Sequence, residues 1–283
     1  MRKHPWTLAA GLALCLSAGL SLASETLRVS AVPDEAPSES LRTFKPLGAY
    51  LEVELGMPVE FTPLADYPAV VEALANDRID LAWLGGFTFV QTRLKTGNAL
   101  PLVQREQDAE FTSVFITADP AIQALSDLQG KTFAFGSVSS TSGSLMPRYF
   151  LQQDGITPEH YFSRIGYAGT HDATVAWVQA GKVDGGVLSA SAWDKLVATG
   201  KVDPHKVRVF ASTPAYFDYN WTVRGSLDPA LAEKIKSAFL ALDPANLAHK
   251  SILDLQSASR FIETSAENYS GIEDAARAVE LLR

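Results

Sequence analysis

Apolar runs of strand length alternate with segments of helical period along the first part of this chain. Residues 27–32 predict a buried strand, and apolar residues at steps of three and four then predict an amphipathic helix that ends at Gly56. Residues 58–62 predict the next strand, residues 67–76 the next helix and residues 79–84 a third strand. Because strands joined through helices run parallel, we expect an α/β fold with helices on the faces of a sheet.

The ends of these strands indicate where a ligand would bind. Ligands of open α/β sheets bind beyond the carboxyl ends of the strands. We therefore expect the segments 33–37, 65–68 and 85–89 to share one rim.

A second α/β series follows residue 130. It begins with a strand at 131–135 and includes predicted strands at 183–188 and 207–211. Residues 111–117 and 220–224 read as strands that cross between the two series, so we expect two lobes with a cleft between them. The last forty residues predict helices.

The N-terminus has the pattern of an export signal. Arg2 and Lys3 give a basic start, an apolar run follows, and small residues before residue 24 suit cleavage by a signal peptidase. We therefore expect residues 1–23 to be a signal peptide and the protein to be periplasmic. After residue 24 no apolar run approaches the length of a membrane span.

Charge and cysteine content narrow the function classes. The chain has 24 Lys and Arg against 32 Asp and Glu, and loss of Arg2 and Lys3 with the signal would leave a net charge of −10. Such an acidic protein is not expected to bind nucleic acid or anionic lipid. The single cysteine, Cys15, lies in the signal, so the exported chain must be stabilised by its core without a disulfide.

The segment 136–143 is the best candidate for chemistry. It places a glycine and a series of hydroxyls between a predicted strand and a predicted helix. The first amides of a helix lack internal partners and carry partial positive charge, so such a loop can hold an oxyanion without a lysine. The alternative is that one hydroxyl only caps the helix and the others belong to a flexible loop.

Three further side chains have functional and ordinary interpretations. His171, at the start of a predicted helix, could donate to the same anion or could be a surface or capping residue. Tyr67 follows the predicted cap Asp66 and could reach the ligand or simply pack. Asp218 could be a turn residue, or it could discriminate between anions because a carboxylate repels an anion that has no proton to donate.

The motifs at 81–89, 139–143, 169–172 and 218–224 together resemble those of the phosphonate- and phosphite-binding proteins of bacterial ABC importers, which have the type II periplasmic binding protein fold. The resemblance covers about residues 27 to 265. It implies two lobes joined by two crossing strands, each lobe a mixed, mostly parallel sheet with flanking helices.

The resemblance also implies boundaries and ligand contacts. Lobe 1 would comprise residues 24–115 and 213–283, and lobe 2 residues 116–212. Hinge closure would bring the loop and His171 of one lobe against Tyr67 and Asp218 of the other. The expected ligand-binding residues are Ser140, Thr141, Ser142, His171, Tyr67, Asp218, Thr88, Ser139 and Tyr219.

Two departures from the family pattern bear on the ligand. Aminoalkylphosphonate binders have a second acid shortly after the strand at 183–188, where this chain offers Leu188, Ser189, Ala190 and Ser191. Phe89 replaces an aromatic hydroxyl of the family. We therefore expect a small oxyanion, namely phosphite, phosphate or a short phosphonate, and as the alternative selenate, selenite or a similar anion.

A remote alternative is a hydrolase with Ser140 or Ser142, His171 and Asp218 as its triad. Neither serine lies in the Gly-x-Ser-x-Gly motif of a nucleophile elbow, so we do not expect an enzyme. The expected partners are the oxyanion and an ABC permease in the inner membrane. We expect a monomer that needs no cofactor or metal.

Overall fold

The computed structural model describes residues 25–282, so the predicted signal peptide lies outside the described residues. The helices are α1 (Pro37–Leu55), α2 (Tyr67–Ala75), α3 (Gly86–Thr96), α4 (Met146–Gln153), α5 (Pro158–Tyr161), α6 (His171–Gln179), α7 (Ala190–Ala198), α8 (Pro229–Leu240), α9 (Leu247–Leu255) and α10 (Ser270–Ala278). The strands are β1 (Leu27–Ala31), β2 (Val59–Phe61), β3 (Leu81–Leu84), β4 (Leu100–Arg105), β5 (Ser113–Thr117), β6 (Thr132–Phe135), β7 (Arg164–Tyr167), β8 (Gly185–Ser189), β9 (Arg208–Ser212), β10 (Asn220–Val223) and β11 (Phe261–Glu263).

The first sheet has six strands in the order β11-β4-β10-β3-β1-β2. β1 pairs in parallel with β2 and β3, as the alternation of strands and helices predicts. β10 is antiparallel to both β3 and β4, and β11 is antiparallel to β4. Antiparallel pairing is therefore more extensive than the sequence pattern indicates, because β10 enters this sheet after the chain has passed through the second one.

The second sheet has five strands in the order β7-β6-β8-β5-β9. β6 is parallel to β7 and β8, whereas β5 is antiparallel to β8 and β9. Each sheet thus receives one strand that arrives from the other and runs against its neighbours. The predicted α/β fold with two mixed sheets and flanking helices is confirmed.

The chain crosses between the sheets in two segments that touch. The backbone of Phe111 and that of Tyr216 exchange hydrogen bonds of 2.8 and 2.9 Å, and the amide of Asp218 donates to the carbonyl of Asp108 at 2.9 Å. β5 lies wholly in the second sheet, so the crossing precedes it and the predicted boundary between residues 115 and 116 falls inside β5. The boundary between residues 212 and 213 falls at the end of β9. The division into lobes at these residues stays a prediction.

The apolar interior follows the two sheets. One cluster of buried side chains surrounds the first sheet, and two smaller clusters cover the faces of the second. Leu145 and Met146, which follow the segment 136–143 (the hydroxyl loop), are buried in the first cluster. The end of the loop is therefore anchored against the first lobe by apolar packing.

Three elements differ from the sequence prediction. The segment 85–89 is not only a rim loop, because α3 begins at Gly86 with Gly85 at its N-cap. β4 is not marked by the sequence pattern. β11 is a strand within the last forty residues, which were expected to be helical, and it forms the edge of the first sheet.

Candidate functional site

The hydroxyl loop lies between β6 and α4 and is held by two glycines. The amide of Gly136 donates to the carbonyl of Gly143 at 2.7 Å. A Cβ on Gly143 would lie 3.2 Å from the Cα of Gly136, so this close approach favours glycine at both positions. Ser140 caps the turn that follows, because its hydroxyl accepts the amide of Gly143 at 2.9 Å.

Residues 139–143 of this loop are buried, and Thr141 contacts the first lobe. Ser140, Thr141 and Ser142 are exposed by no more than 2%. The hydroxyl of Thr141 accepts the amide of Phe87, at the start of α3, at 3.0 Å. The hydroxyl of Ser142 is buried and has no hydrogen-bond partner among the described residues. The bond from the Phe87 amide places Thr141 at the junction between the lobes.

A relay of hydroxyls connects the loop to the crossing segments. Ser113 donates its hydroxyl to the carbonyl of Ser142 at 2.7 Å, and the Ser113 and Tyr216 hydroxyls lie 2.6 Å apart. Because Ser113 has already used its proton, Tyr216 is the donor in the second bond. The crossing and the loop are thus joined by direct hydrogen bonds.

Asp218 lies beside the loop with one oxygen free. Its Oδ1 accepts the amide of Gly86 at 3.0 Å, whereas its Oδ2 is buried and has no partner among the described residues. Burial raises the pKa of Asp218 to about 7, against the lowering effect of hydrogen bonds from Gly86 and Thr141. Near neutral pH this carboxyl can therefore accept a proton or a hydrogen bond.

His171, Tyr219, Tyr67 and Asp34 form a second polar cluster across the junction. The hydroxyls of Tyr67 and Tyr219 donate to Asp34 Oδ1 at 2.5 and 3.1 Å. His171 Nε2 lies 3.2 Å from the Tyr219 hydroxyl, and because that hydroxyl donates to Asp34, the histidine is the donor in this pair. The first lobe supplies the tyrosines and Asp34, and α6 of the second lobe supplies His171.

The ring of His171 is buried. Burial lowers its pKa, and the nearby charge of Asp34 acts in the opposite direction. Its Nδ1 is buried and has no hydrogen-bond partner among the described residues. Protonation of the ring would create a further donor at this atom.

Two predicted site residues have other contacts. The hydroxyl of Thr88 donates to the carbonyl of Gly85 within the first turn of α3. Ser139 lines a surface depression together with Pro68, Leu94 and other residues of the first lobe. The structure therefore places four of the nine expected residues (Ser140, Thr141, Ser142 and Asp218) in the first polar cluster and three (Tyr67, His171 and Tyr219) in the second, and it gives the Thr88 hydroxyl and Ser139 other surroundings.

Sequence reasoning missed two charged residues of the site. Asp34 lies in the rim segment 33–37, and the rule that ligands bind at strand ends could have identified it. Arg105 is buried, pairs with Asp108 at 2.6 Å, and has its guanidinium 5.1 and 5.2 Å from the ring centres of Trp83 and Tyr219. No sequence signal marks Arg105.

Residues 25–282 contain no group of three or more His, Cys, Asp or Glu side chains placed to hold a metal ion. In the same part of the chain, no helix is both long and apolar enough to span a bilayer. His171 makes no hydrogen bond to Ser140 or Ser142 among the described contacts, so the hydrolase triad is not assembled. The arrangement offers hydroxyl donors beside an acceptor with a pKa near neutrality.

Comparison with known proteins agrees with this geometry. Residues 29–269 match the family described as the periplasmic phosphonate substrate-binding protein of ABC transporters. The chain is 35% identical to a probable ABC transporter phosphite binding protein, PhnD1, of Prochlorococcus marinus, over 92% of this chain and 91% of that protein. It is 27% identical to the phosphate-import protein PhnD of Mycolicibacterium smegmatis, over 76% of this chain and 71% of that protein.

A solved structure supports the same assignment. The structure of Prochlorococcus marinus PhnD1 in complex with methylphosphonate matches with a TM-score of 0.85 and 34% identity. The match covers 91% of this chain and 99% of the PhnD1 chain. The predicted two-lobed type II periplasmic binding protein fold is thereby confirmed. The chain belongs to the family of periplasmic phosphonate substrate-binding proteins of ABC transporters.

Proposed function

We propose that this protein captures a small phosphorus oxyanion between its lobes and presents it to the membrane component of an ABC importer. The ligand would be phosphite, phosphate or a short phosphonate. The observation that carries the proposal is the free Oδ2 of Asp218, buried beside the hydroxyls of the 136–143 loop. Donors next to one unpaired acceptor suit an anion that still carries an acidic proton.

The same arrangement disfavours fully deprotonated anions. A selenate or sulfate ion has no proton for Asp218 and would meet its lone pairs at short range. Selenite can carry a proton, but no relative described above is named for a selenium anion. The named ligands of the relatives are phosphite, phosphate and methylphosphonate, which support the phosphorus class.

We propose specific roles for the gathered side chains. Ser140, Thr141 and Ser142 would bind the anionic oxygens through hydroxyls and amides, and His171 would add a donor when its ring is protonated. Asp218 would accept the ligand's proton, Tyr67 would contact the ligand from the first lobe, and Tyr219 would orient His171. Thr88 remains a candidate through its backbone amide, because its hydroxyl donates to Gly85, and Ser139 remains a candidate as the residue next to Ser140.

Closure of the two lobes would complete the site. The loop and His171 belong to one lobe and Asp218 and Tyr67 to the other, so neither lobe alone holds the full set. A ligand that contacts both lobes stabilises the closed arrangement, which the importer would recognise. In this proposal the protein is a binding protein without catalytic activity, acts as a monomer in the periplasm and is exported by a signal peptide at residues 1–23.

Calorimetric titration of the wild-type protein would test this proposal. Phosphite, phosphate, methylphosphonate, sulfate, selenite and selenate would be compared at one pH and salt concentration. We expect saturable binding of at least one phosphorus anion and much weaker binding of sulfate and selenate. His171→Ala should weaken binding about tenfold or more, whereas His205→Ala, at an exposed position, should not. Binding of no phosphorus anion, or equal binding of sulfate, would refute the proposal.

A further inference from the structure

Asp34 is the shared hydrogen-bond acceptor of two tyrosines at the site. It follows β1, and its Oδ1 accepts the hydroxyl of Tyr67 at 2.5 Å and that of Tyr219 at 3.1 Å. His171 Nε2 lies 3.6 Å from the same oxygen. Three polar side chains of the candidate site therefore lie around one carboxylate oxygen of Asp34.

The backbone of Asp34 is held across the junction. Its carbonyl accepts the amide of His171, the first residue of α6, at 3.1 Å. This amide is one of the helix N-terminal donors that lack a partner within the helix. Because a residue of the first lobe satisfies it, the position of the Asp34 carboxylate is tied to the arrangement of the two lobes.

The direction of the Tyr67 hydroxyl follows from proton accounting. Burial and then the charge of Asp34 raise the pKa of Tyr67 well above its ordinary value, so the phenol keeps its single proton. That proton is directed to Asp34. Because its proton is committed to Asp34, the phenol oxygen can act toward any further group only as an acceptor. Tyr67 would therefore offer lone pairs to a ligand bound beside it.

We propose that Asp34 is a specificity-determining residue. Because Asp34 accepts the hydrogen bond of the Tyr67 hydroxyl, the Tyr67 oxygen can act toward the ligand only as an acceptor. The site then favours oxyanions that retain an acidic proton. The inference rests on the proposed function, because it concerns the selectivity of the same site. Asp34 acts through Tyr67 and is a positioning residue for it.

Charge in the surroundings supports this assignment. Asp218 Oδ2 is already an acceptor without a partner, so Tyr67 would be a second one. The nearby cation Arg105 is bound by both oxygens of Asp108, with bonds of 2.6 and 2.8 Å, and is thus largely neutralised. An anion without a proton would face both acceptors, whereas a protonated anion can satisfy one of them.

The test compares inorganic phosphate, which keeps an acidic proton at neutral pH, with sulfate, which has the same tetrahedral shape and none. The ratio of the two dissociation constants is measured by calorimetry for the wild type, Asp34→Asn, Tyr67→Phe and the double variant. In Asp34→Asn the amide can donate to the Tyr67 oxygen and release the phenol proton to the anion. We expect the preference for phosphate over sulfate to fall about tenfold. In the Tyr67→Phe background the same substitution should change the ratio less than about twofold.

Glu35→Gln is the matched control. Glu35 is the next residue, and its carboxylate pairs with Lys195 of the second lobe rather than with the tyrosines. This variant removes the same charge nearby, so it should change both dissociation constants by a similar factor and leave their ratio unchanged.

The outcomes separate the two proposals. If the wild type binds neither phosphate nor any other phosphorus anion, the proposed function and this inference both fail. If the wild type binds phosphate but Asp34→Asn leaves the ratio unchanged, or shifts it equally in the Tyr67→Phe background, only the role of Asp34 is overturned. An equal shift of the ratio in Glu35→Gln would overturn it as well, because the effect would then be that of charge alone.

Discussion

The hydroxyl of Thr141 accepts a hydrogen bond from the amide of Phe87 over 3.0 Å and thereby joins the hydroxyl loop to the start of α3. The Phe87 amide lies in the first turn of α3, where backbone amides have no partner within the helix. The bond therefore satisfies a buried donor of one lobe with a hydroxyl of the other.

Thr141→Val should separate shape from hydrogen bonding at this contact. Valine fills the same volume but cannot accept the Phe87 amide, which is left buried and unpaired at a cost of about 1 to 3 kcal/mol. We expect affinity for the bound anion to fall about tenfold or more. Calorimetric titration measures this, with Thr199→Val, at the C-cap of α7 and outside the site, as the control. Unchanged affinity would contradict a role of Thr141 in closure or binding.

Gly85→Ala should hinder closure through one methyl group. A Cβ at this position would lie 2.8 Å from the Thr141 hydroxyl and 3.2 Å from an Asp218 oxygen. The backbone of Gly85 is extended, so the strain would arise from the contact alone. We expect weaker anion binding with little change in thermal stability.

Gly271→Ala on α10 is the matched control for Gly85→Ala. A Cβ there would meet open space, and alanine in a helix stabilises by up to about 1 kcal/mol. Its anion affinity should equal that of the wild type. Equal affinity of the Gly85→Ala variant would show that the lobes do not approach at this point.

Asp218 should make stability depend on pH. Its pKa of about 7 in the folded protein lies above the ordinary value of 3.8, so the folded state binds more protons between these values. This extra proton binding stabilises the folded state. Its contribution to the free energy of unfolding is fully present below about pH 4 and is lost as the pH rises through about 7. Since one pKa unit corresponds to about 1.4 kcal/mol, the loss approaches about 4 kcal/mol.

Thermal unfolding of Asp218→Asn between pH 5 and 8.5 would test this relation. We expect the variant to lose less stability than the wild type over that range, because asparagine does not titrate. Asp254→Asn, which changes an exposed carboxylate paired with Lys250, should keep the wild-type slope. Parallel curves for the wild type and Asp218→Asn would show that Asp218 titrates far from neutrality.

Two ion pairs across the junction should make closure sensitive to salt. Lys195 on α7 pairs with Glu35, and Lys201 lies 3.2 Å from Glu39 on α1. Partly exposed pairs contribute about 1 kcal/mol or less and weaken as salt screens them. Lys195→Gln should lower anion affinity a few-fold at low salt. Because the wild-type pair weakens as salt is added, the affinity of the variant should fall less between low and high salt than that of the wild type.

Lys250→Gln provides the comparison for Lys195→Gln. Lys250 pairs with Asp254 within α9, so its loss changes the net charge equally without breaking the Lys195–Glu35 pair. Titrations at low and high salt should match the wild type. If the Lys195 and Lys250 variants behave alike, the pair with Glu35 does not contribute to closure.

The sequence predicts the elements whose pattern is local and strong. The strand at 27–32 and the helix ending at Gly56 have clear periodicity and a left-handed C-cap, and the structure contains β1 and α1 there. α3 was missed because it starts with Gly86 and an aromatic run that reads as loop. β11 was missed because three residues carry almost no periodic signal.

The candidate site divides in a similar way. The hydroxyl loop and His171 could be identified because glycines, hydroxyls and a helix start stand together in the sequence. The contacts of Asp34 with Tyr67 and Tyr219 could not, since they join residues that are 33 and 185 positions apart. Such contacts depend on how two lobes meet, and no local pattern encodes that.

The chain path through the two sheets has a consequence for the order of folding. The second sheet is built from one continuous stretch, β5 to β9, whereas the first needs β10 and β11 from a much later part of the sequence. The middle of the chain can therefore collapse on its own contacts while β3 and β4 still lack the strand that separates them. Asp218 and Tyr219 directly precede that strand, so we expect the candidate site to be completed only when the last part of the chain joins the first sheet.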